Sequence, residues 1–131
     1  MDLYYKSTRN SNLKVTASEA ILKGLAPDGG LFVPEKLPVL GKSMEELKDL
    51  NYQDTAYEVM KCFLTDFTEE ELKHCINSAY DKKFDTENIA ELVKKDDAYY
   101  LELFHGATIA FKDMALSILP YLMTTSAKKN Q

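Results

Sequence analysis

Apolar residues recur at helical spacing over most of the first ninety positions of this chain, broken by a few short extended pieces. Ala56, Val59, Met60, Phe63 and Leu64 follow Asn51 at that spacing, and Leu72, Ile76, Ala79 and Tyr80 repeat it after Thr68. The segment starts carry capping boxes: Thr16-Ala17-Ser18-Glu19, Ser43-Met44-Glu45-Glu46 and Thr68-Glu69-Glu70-Glu71. In each, the hydroxyl and the carboxylate three residues later can satisfy each other's backbone donors. The first box predicts a helix that buries Ala20, Ile21 and Leu25 and ends before Pro27. The third makes Glu69, Glu70 and Glu71 a helix N-terminus, favoured by the dipole, rather than a catalytic cluster.

The extended pieces are short. Leu3 to Ser7 alternates weakly and reads as a strand before a polar run, Thr8 to Asn12. Ala26-Pro27-Asp28-Gly29-Gly30 reads as a turn, and Leu31-Phe32-Val33-Pro34 as an extended edge limited by its proline. After a turn at Asp96-Asp97 the pattern changes. Tyr99 to Phe104 predicts a strand rich in aromatic residues, and His105-Gly106-Ala107-Thr108 a tight polar loop. Phe111, Ala115, Leu116, Leu119 and Leu122 then mark one helix, kinked at Pro120, with Lys128 and Lys129 at its C-terminal end. Strand, loop and helix make the first half of a βαβ unit. The next parallel strand would begin where the sequence stops, so the expectation is a piece of a larger α/β protein.

Composition narrows the class. The 131 residues are 45% hydrophobic and 28% charged, as in a globular domain. With 16 Lys and Arg against 21 Asp and Glu, the net charge is −5, which argues against a nucleic-acid or anionic-membrane partner. The apolar run from Met114 to Met123 is interrupted by Ser117 and Pro120 and falls short of the roughly 18 residues of a membrane span. The first five residues lack the features of a secretory signal, so a cytoplasmic location is expected. Cys62 and Cys75 have no CxxC spacing and read as reduced thiols. With His74 they lack the spacing of zinc ligands, so no metal site is expected. Gly29-Gly30 is too short for a phosphate cradle.

The candidate for chemistry is Lys112, in Ala110-Phe111-Lys112-Asp113-Met114. An ammonium near a helix start opposes the dipole, and its apolar neighbours suggest partial desolvation. Both effects favour a neutral, nucleophilic amine, able to attack a carbonyl such as that of pyridoxal phosphate. The other reading is an exposed lysine beside Asp113 with no role. His105 and Thr108 lie in the loop at the carboxyl end of the strand, where open α/β sheets place ligands. His105 reads as a loop histidine before it reads as a general base.

The run Leu101-Glu102-Leu103-Phe104-His105-Gly106-Ala107-Thr108-Ile109-Ala110-Phe111-Lys112-Asp113 closely resembles the cofactor-lysine segment of threonine synthases, which typically read LELFHGPTLAFKD. Ser7-Thr8-Arg9 and the stretch from Gly24 to Pro34 resemble the same family's N-terminal signature. The resemblance implies the fold type II of pyridoxal-phosphate enzymes and conversion of O-phospho-L-homoserine and water into L-threonine and phosphate. It makes Lys112 the lysine that carries pyridoxal phosphate and then moves protons at the substrate carbons. His105, Gly106, Thr108, Phe111 and Asp113 fall in the same motif as pocket-shaping residues. Two positions depart from the family pattern. Ala107 stands for the usual proline, which should loosen the loop slightly, and Ile109 stands for leucine.

The expected organisation is therefore a mostly helical domain over residues 1–95, followed at 96–131 by the opening of the catalytic α/β domain; within these residues the class is α+β. The family's glycine- and serine-rich loop for the cofactor phosphate lies downstream of this helix, so the isolated chain is expected to be inactive. Two rivals remain. One is a stand-alone helical interaction module with a relic lysine motif, able to self-associate through the edge of the strand from Tyr99 to Phe104. The other is a different lyase of the same fold, such as a serine or threonine dehydratase, against which the stretch from Gly24 to Pro34 argues.

Overall fold

The three capping boxes form in the computed structural model, which describes residues 2–131. Strand β1 (Tyr5–Ser7) precedes helix α1 (Ala17–Lys23), which starts at Thr16. The Thr16 hydroxyl accepts from the Glu19 amide at 3.3 Å, and the Glu19 carboxylate accepts from the Thr16 amide at 2.8 Å. After β2 (Phe32–Pro34), Ser43 and Glu46 repeat the pattern at the short α2 (Met44–Leu47). Helix α3 (Tyr52–Phe63) is capped by the Asn51 side chain, and α4 (Glu69–Ala79) by Thr68 with Glu71.

Helix α4 organises the core. Leu72, Cys75, Ile76 and Ala79 fall at i, i+3, i+4 and i+7, and all four are buried. Phe67, Tyr80, Phe84, Ile89, Ile118 and Leu122 close around them, backed by partly buried residues of α3 such as Ala56 and Met60. Burial of Leu72 and Ile76 contributes about 1.5–3 kcal/mol each. Cys75 is buried, which raises its thiol pKa, and Cys62 is half-buried; both are free.

Two small antiparallel sheets flank the helices. β1 pairs with β2, Tyr5 opposite Pro34 and Ser7 opposite Phe32. β3 (Glu91–Lys95) and β4 (Ala98–Glu102) form a hairpin whose turn holds Asp96 at φ +54. The sequence pattern does not announce β3, because only Leu92 and Val93 are apolar in a short charged segment. The 95/96 division falls at this hairpin's turn. Short α5 (Asp113–Leu116) and α6 (Leu119–Lys129) follow, and α6 packs against both α1 and α4.

Several local expectations need correction. Leu25 is 61% exposed, because α1 ends at Gly24, at φ +69, and the chain leaves the helical face before reaching it. The single kinked helix is two helices. Pro120 sits in the first turn of α6, where its missing N–H breaks no helical bond. Phe111 precedes α5, and both Phe111 and Leu116 are exposed rather than core. The strand expected over Tyr99 to Phe104 is β4, which ends at Glu102, and its Tyr99, Tyr100 and Leu101 are more than half exposed. No described helix is long and apolar enough to cross a membrane.

Candidate functional site

Residues 103–112 connect β4 to α5 and fold around one carboxylate. The Thr108 amide donates to Asp113 Oδ2 at 2.7 Å, and the Thr108 hydroxyl donates to Asp113 Oδ1 at 2.6 Å. Asp113 is only 5% exposed. Within the loop, the Ile109 amide donates to the Gly106 carbonyl and the Asp113 amide to that of Ala110, both at 3.0 Å. Gly106 is required by this closure. A Cβ there would lie 2.4 Å from Asp113 Cβ. Ile109 is held at φ +65, an unfavourable region for a β-branched residue.

Lys112 sits at the N-cap of α5 with its backbone already helical, and its carbonyl accepts from the amides of Ala115 and Leu116. Its side chain is exposed, so the partial desolvation expected from its apolar neighbours is absent. Phe111 and Ile109, themselves 69% and 73% exposed, point their apolar surface to solvent instead of covering it. What the site offers is an accessible primary amine on a fixed backbone, which can bond a carbonyl carbon.

His105 belongs to a second cluster. Its Nδ1 meets Asp85 Oδ1, and its Nε2 meets Glu102 Oε2 at 2.9 Å. Glu102 first, then Asp85, raise the imidazole above its ordinary pKa. With both ring nitrogens engaged, His105 is a clamp between β4 and residues 81–90. The Asp85 amide reinforces that clamp by donating to the His105 carbonyl at 3.0 Å. Sequence reasoning missed both partners. Glu102 lies three residues from His105, a spacing that could have been read; Asp85 has no local signal.

The N-terminal signature also condenses in space. Asp28 Oδ1 accepts from the Ser7 hydroxyl at 2.7 Å and from the Gly30 amide at 2.9 Å, and Arg9 Nη1 donates to the Asp28 carbonyl at 3.2 Å. These bonds, led by Ser7, lower the Asp28 pKa. A Cβ at Gly30 would lie 2.1 Å from Ser7 Oγ, so the turn admits only glycine there. The loop therefore brings Gly106, Thr108 and Asp113 together and leaves Phe111 and Lys112 exposed, while His105 is held elsewhere. Among the described residues, no three His, Cys, Asp or Glu side chains are grouped to hold a metal ion.

A family model described as "Threonine synthase N terminus" matches residues 4–80, more than half of the chain. The chain belongs to the threonine synthase family. It is 39% identical over 118 residues to the threonine synthase of Schizosaccharomyces pombe, covering 88% of this chain and 23% of that protein. It is 36% identical over 125 residues to that of Saccharomyces cerevisiae, covering 88% and 24%. The crystal structure of threonine synthase from yeast superposes with a TM-score of 0.88 at 32% identity, covering 97% of this chain and 27% of that one. A pyridoxal-phosphate-bound threonine synthase from Brucella melitensis gives 0.87 at 31%, covering 98% and 28%. The chain thus spans about a quarter of the length of these relatives and corresponds to their N-terminal part. Its fold is that of the opening of a threonine synthase, α+β within these residues, and the reading as a stand-alone interaction module is not favoured.

Proposed function

We propose that the complete enzyme containing this segment converts O-phospho-L-homoserine and water into L-threonine and phosphate in the cytoplasm, with pyridoxal phosphate carried on Lys112. The observation that supports this most directly is the exposed Lys112 amine on a backbone held by Asp113, within a threonine synthase fold. The residues present fit the aldehyde end of the cofactor, because Lys112 offers a primary amine open to it. When bound, pyridoxal phosphate supplies an electron-withdrawing ring that takes up charge from the substrate carbons. Lys112 Nζ would hold the cofactor at its aldehyde carbon, the carbonyl oxygen leaving as water, and once freed by the substrate amine it would take and return protons at the substrate carbons. Residues 1–95 serve as the N-terminal domain, and 96–131 open the catalytic domain. Gly106, Thr108 and Asp113 shape the loop, His105 anchors its start, and Phe111 presents an apolar ring beside the lysine. Because the chain spans about a quarter of its relatives, turnover is assigned to the complete enzyme and not to these residues alone.

The test is borohydride reduction in the presence of pyridoxal phosphate, followed by peptide mapping. The label is expected at Lys112 and is expected to vanish from that peptide in Lys112→Ala. Labelling confined to other lysines removes Lys112 from the mechanism.

A further inference from the structure

We propose that Asp113 is a positioning residue for Lys112: by binding Thr108 through both carboxylate oxygens, it fixes the lysine's backbone and leaves the ammonium without a paired acid. This rests on the reading of Lys112 as the cofactor lysine.

A carboxylate close to a lysine can pair with it, and such a pair would keep the ammonium occupied. Here both oxygens of Asp113 are taken, at 2.7 and 2.6 Å, by the amide and hydroxyl of a single residue five positions back. Among the described residues the Lys112 ammonium has no carboxylate within 4.0 Å. The same two bonds close the loop that ends at Lys112. They hold Ile109 at its positive φ, and they depend on Gly106, which alone admits the Asp113 side chain against its backbone. From the other side, the Lys112 carbonyl accepts from the first amides of α5. The lysine backbone is thus gripped on both flanks while its side chain stays free, the arrangement a reacting amine needs.

The experiment uses the complete enzyme that contains this segment. It is incubated with pyridoxal phosphate and reduced, and the ratio of label at Lys112 to label at Lys128, an internal reference on α6, is read by mass spectrometry. Asp113→Ala is expected to lower that ratio by about tenfold or more, since a misplacement of about 1 Å can cost a reacting group roughly a hundredfold. Asp113→Asn should retain the ratio, since its amide still accepts from the Thr108 N–H and donates to the Thr108 hydroxyl. Thr108→Val removes one hydroxyl at an exposed position and should fall between the two; it serves where Asp113→Ala does not fold. An unchanged ratio in Asp113→Ala or, failing that variant, in Thr108→Val overturns the positioning role and leaves the role of Lys112 standing. A loss in Asp113→Asn as large as in Asp113→Ala also overturns it. Absence of label from Lys112 in the unsubstituted complete enzyme overturns the reading of Lys112, and this inference with it.

Discussion

The Tyr80 hydroxyl donates to the carbonyl oxygen of Met114 at 2.6 Å. This bond ties the C-terminal cap of α4 to α5, two residues beyond Lys112. Tyr80 is 2% exposed, and burial raises its pKa. Tyr80→Phe keeps the ring in the core and removes the hydroxyl, and with it the bond to Met114 and the hydrogen bond shared with Tyr52. The expected loss is about 1 kcal/mol of stability. Urea unfolding should show a lower midpoint with unchanged slope; a midpoint equal to that of the parent would mean these bonds contribute nothing.

His105 makes part of the stability dependent on pH. Its folded pKa lies above the ordinary 6.5 because Glu102 and Asp85 favour the imidazolium, and Glu91 also feels its charge. A raised folded value means that the stabilisation is complete below about 6.5 and is lost as pH rises through the folded value. The difference in thermal midpoint between the parent and His105→Gln should therefore shrink from mildly acidic to mildly alkaline pH. A difference independent of pH would show that the two carboxylates do not act through the ring charge.

Gly106→Ala forces a methyl group against the Asp113 side chain, where it would meet Cβ at 2.4 Å. Such overpacking is expected to destabilise by about 1–3 kcal/mol. Amide exchange should quicken at Thr108, whose N–H bonds Asp113, before it quickens in α4. Unaltered exchange at Thr108 would show that the loop absorbs the methyl group without opening.

Ser126 is fully buried on α6, and among the described residues its hydroxyl has no partner. An unpaired buried hydroxyl is unfavourable, so Ser126→Ala should raise stability by about 1 kcal/mol. A clear drop in melting temperature would reveal a bond that the Ser126 hydroxyl makes in solution.

The elements with a local code were legible in the sequence. Thr16, Ser43 and Thr68 each announce a helix start through a carboxylate three residues on, and the apolar face of α4 is written at i, i+3, i+4 and i+7. Pro120 was misread because the same residue that breaks a helix interior opens a helix start. Leu116 and Leu119 stand three positions apart, as in a continuous helix, so the apolar spacing does not separate the two cases. At the site, the motif pointed to Lys112, but its neighbours were read as covering it. Apolar side chains in a loop need not turn inward, and Phe111 does not. Asp85 was invisible for a different reason: it reaches His105 across 20 positions, and no periodicity records such a meeting.

The first and last helices are partners. Asn130 Nδ2 donates to Ser18 Oγ across 112 positions of sequence, and α6 lies along α1. During synthesis α1 must wait for α6, an interval on the order of ten seconds at ribosomal speed. Over that time the growing chain carries an unmatched helical face, and a short pause in translation lengthens the exposure. The packing that closes this segment thus forms only after nearly all of it has been synthesised.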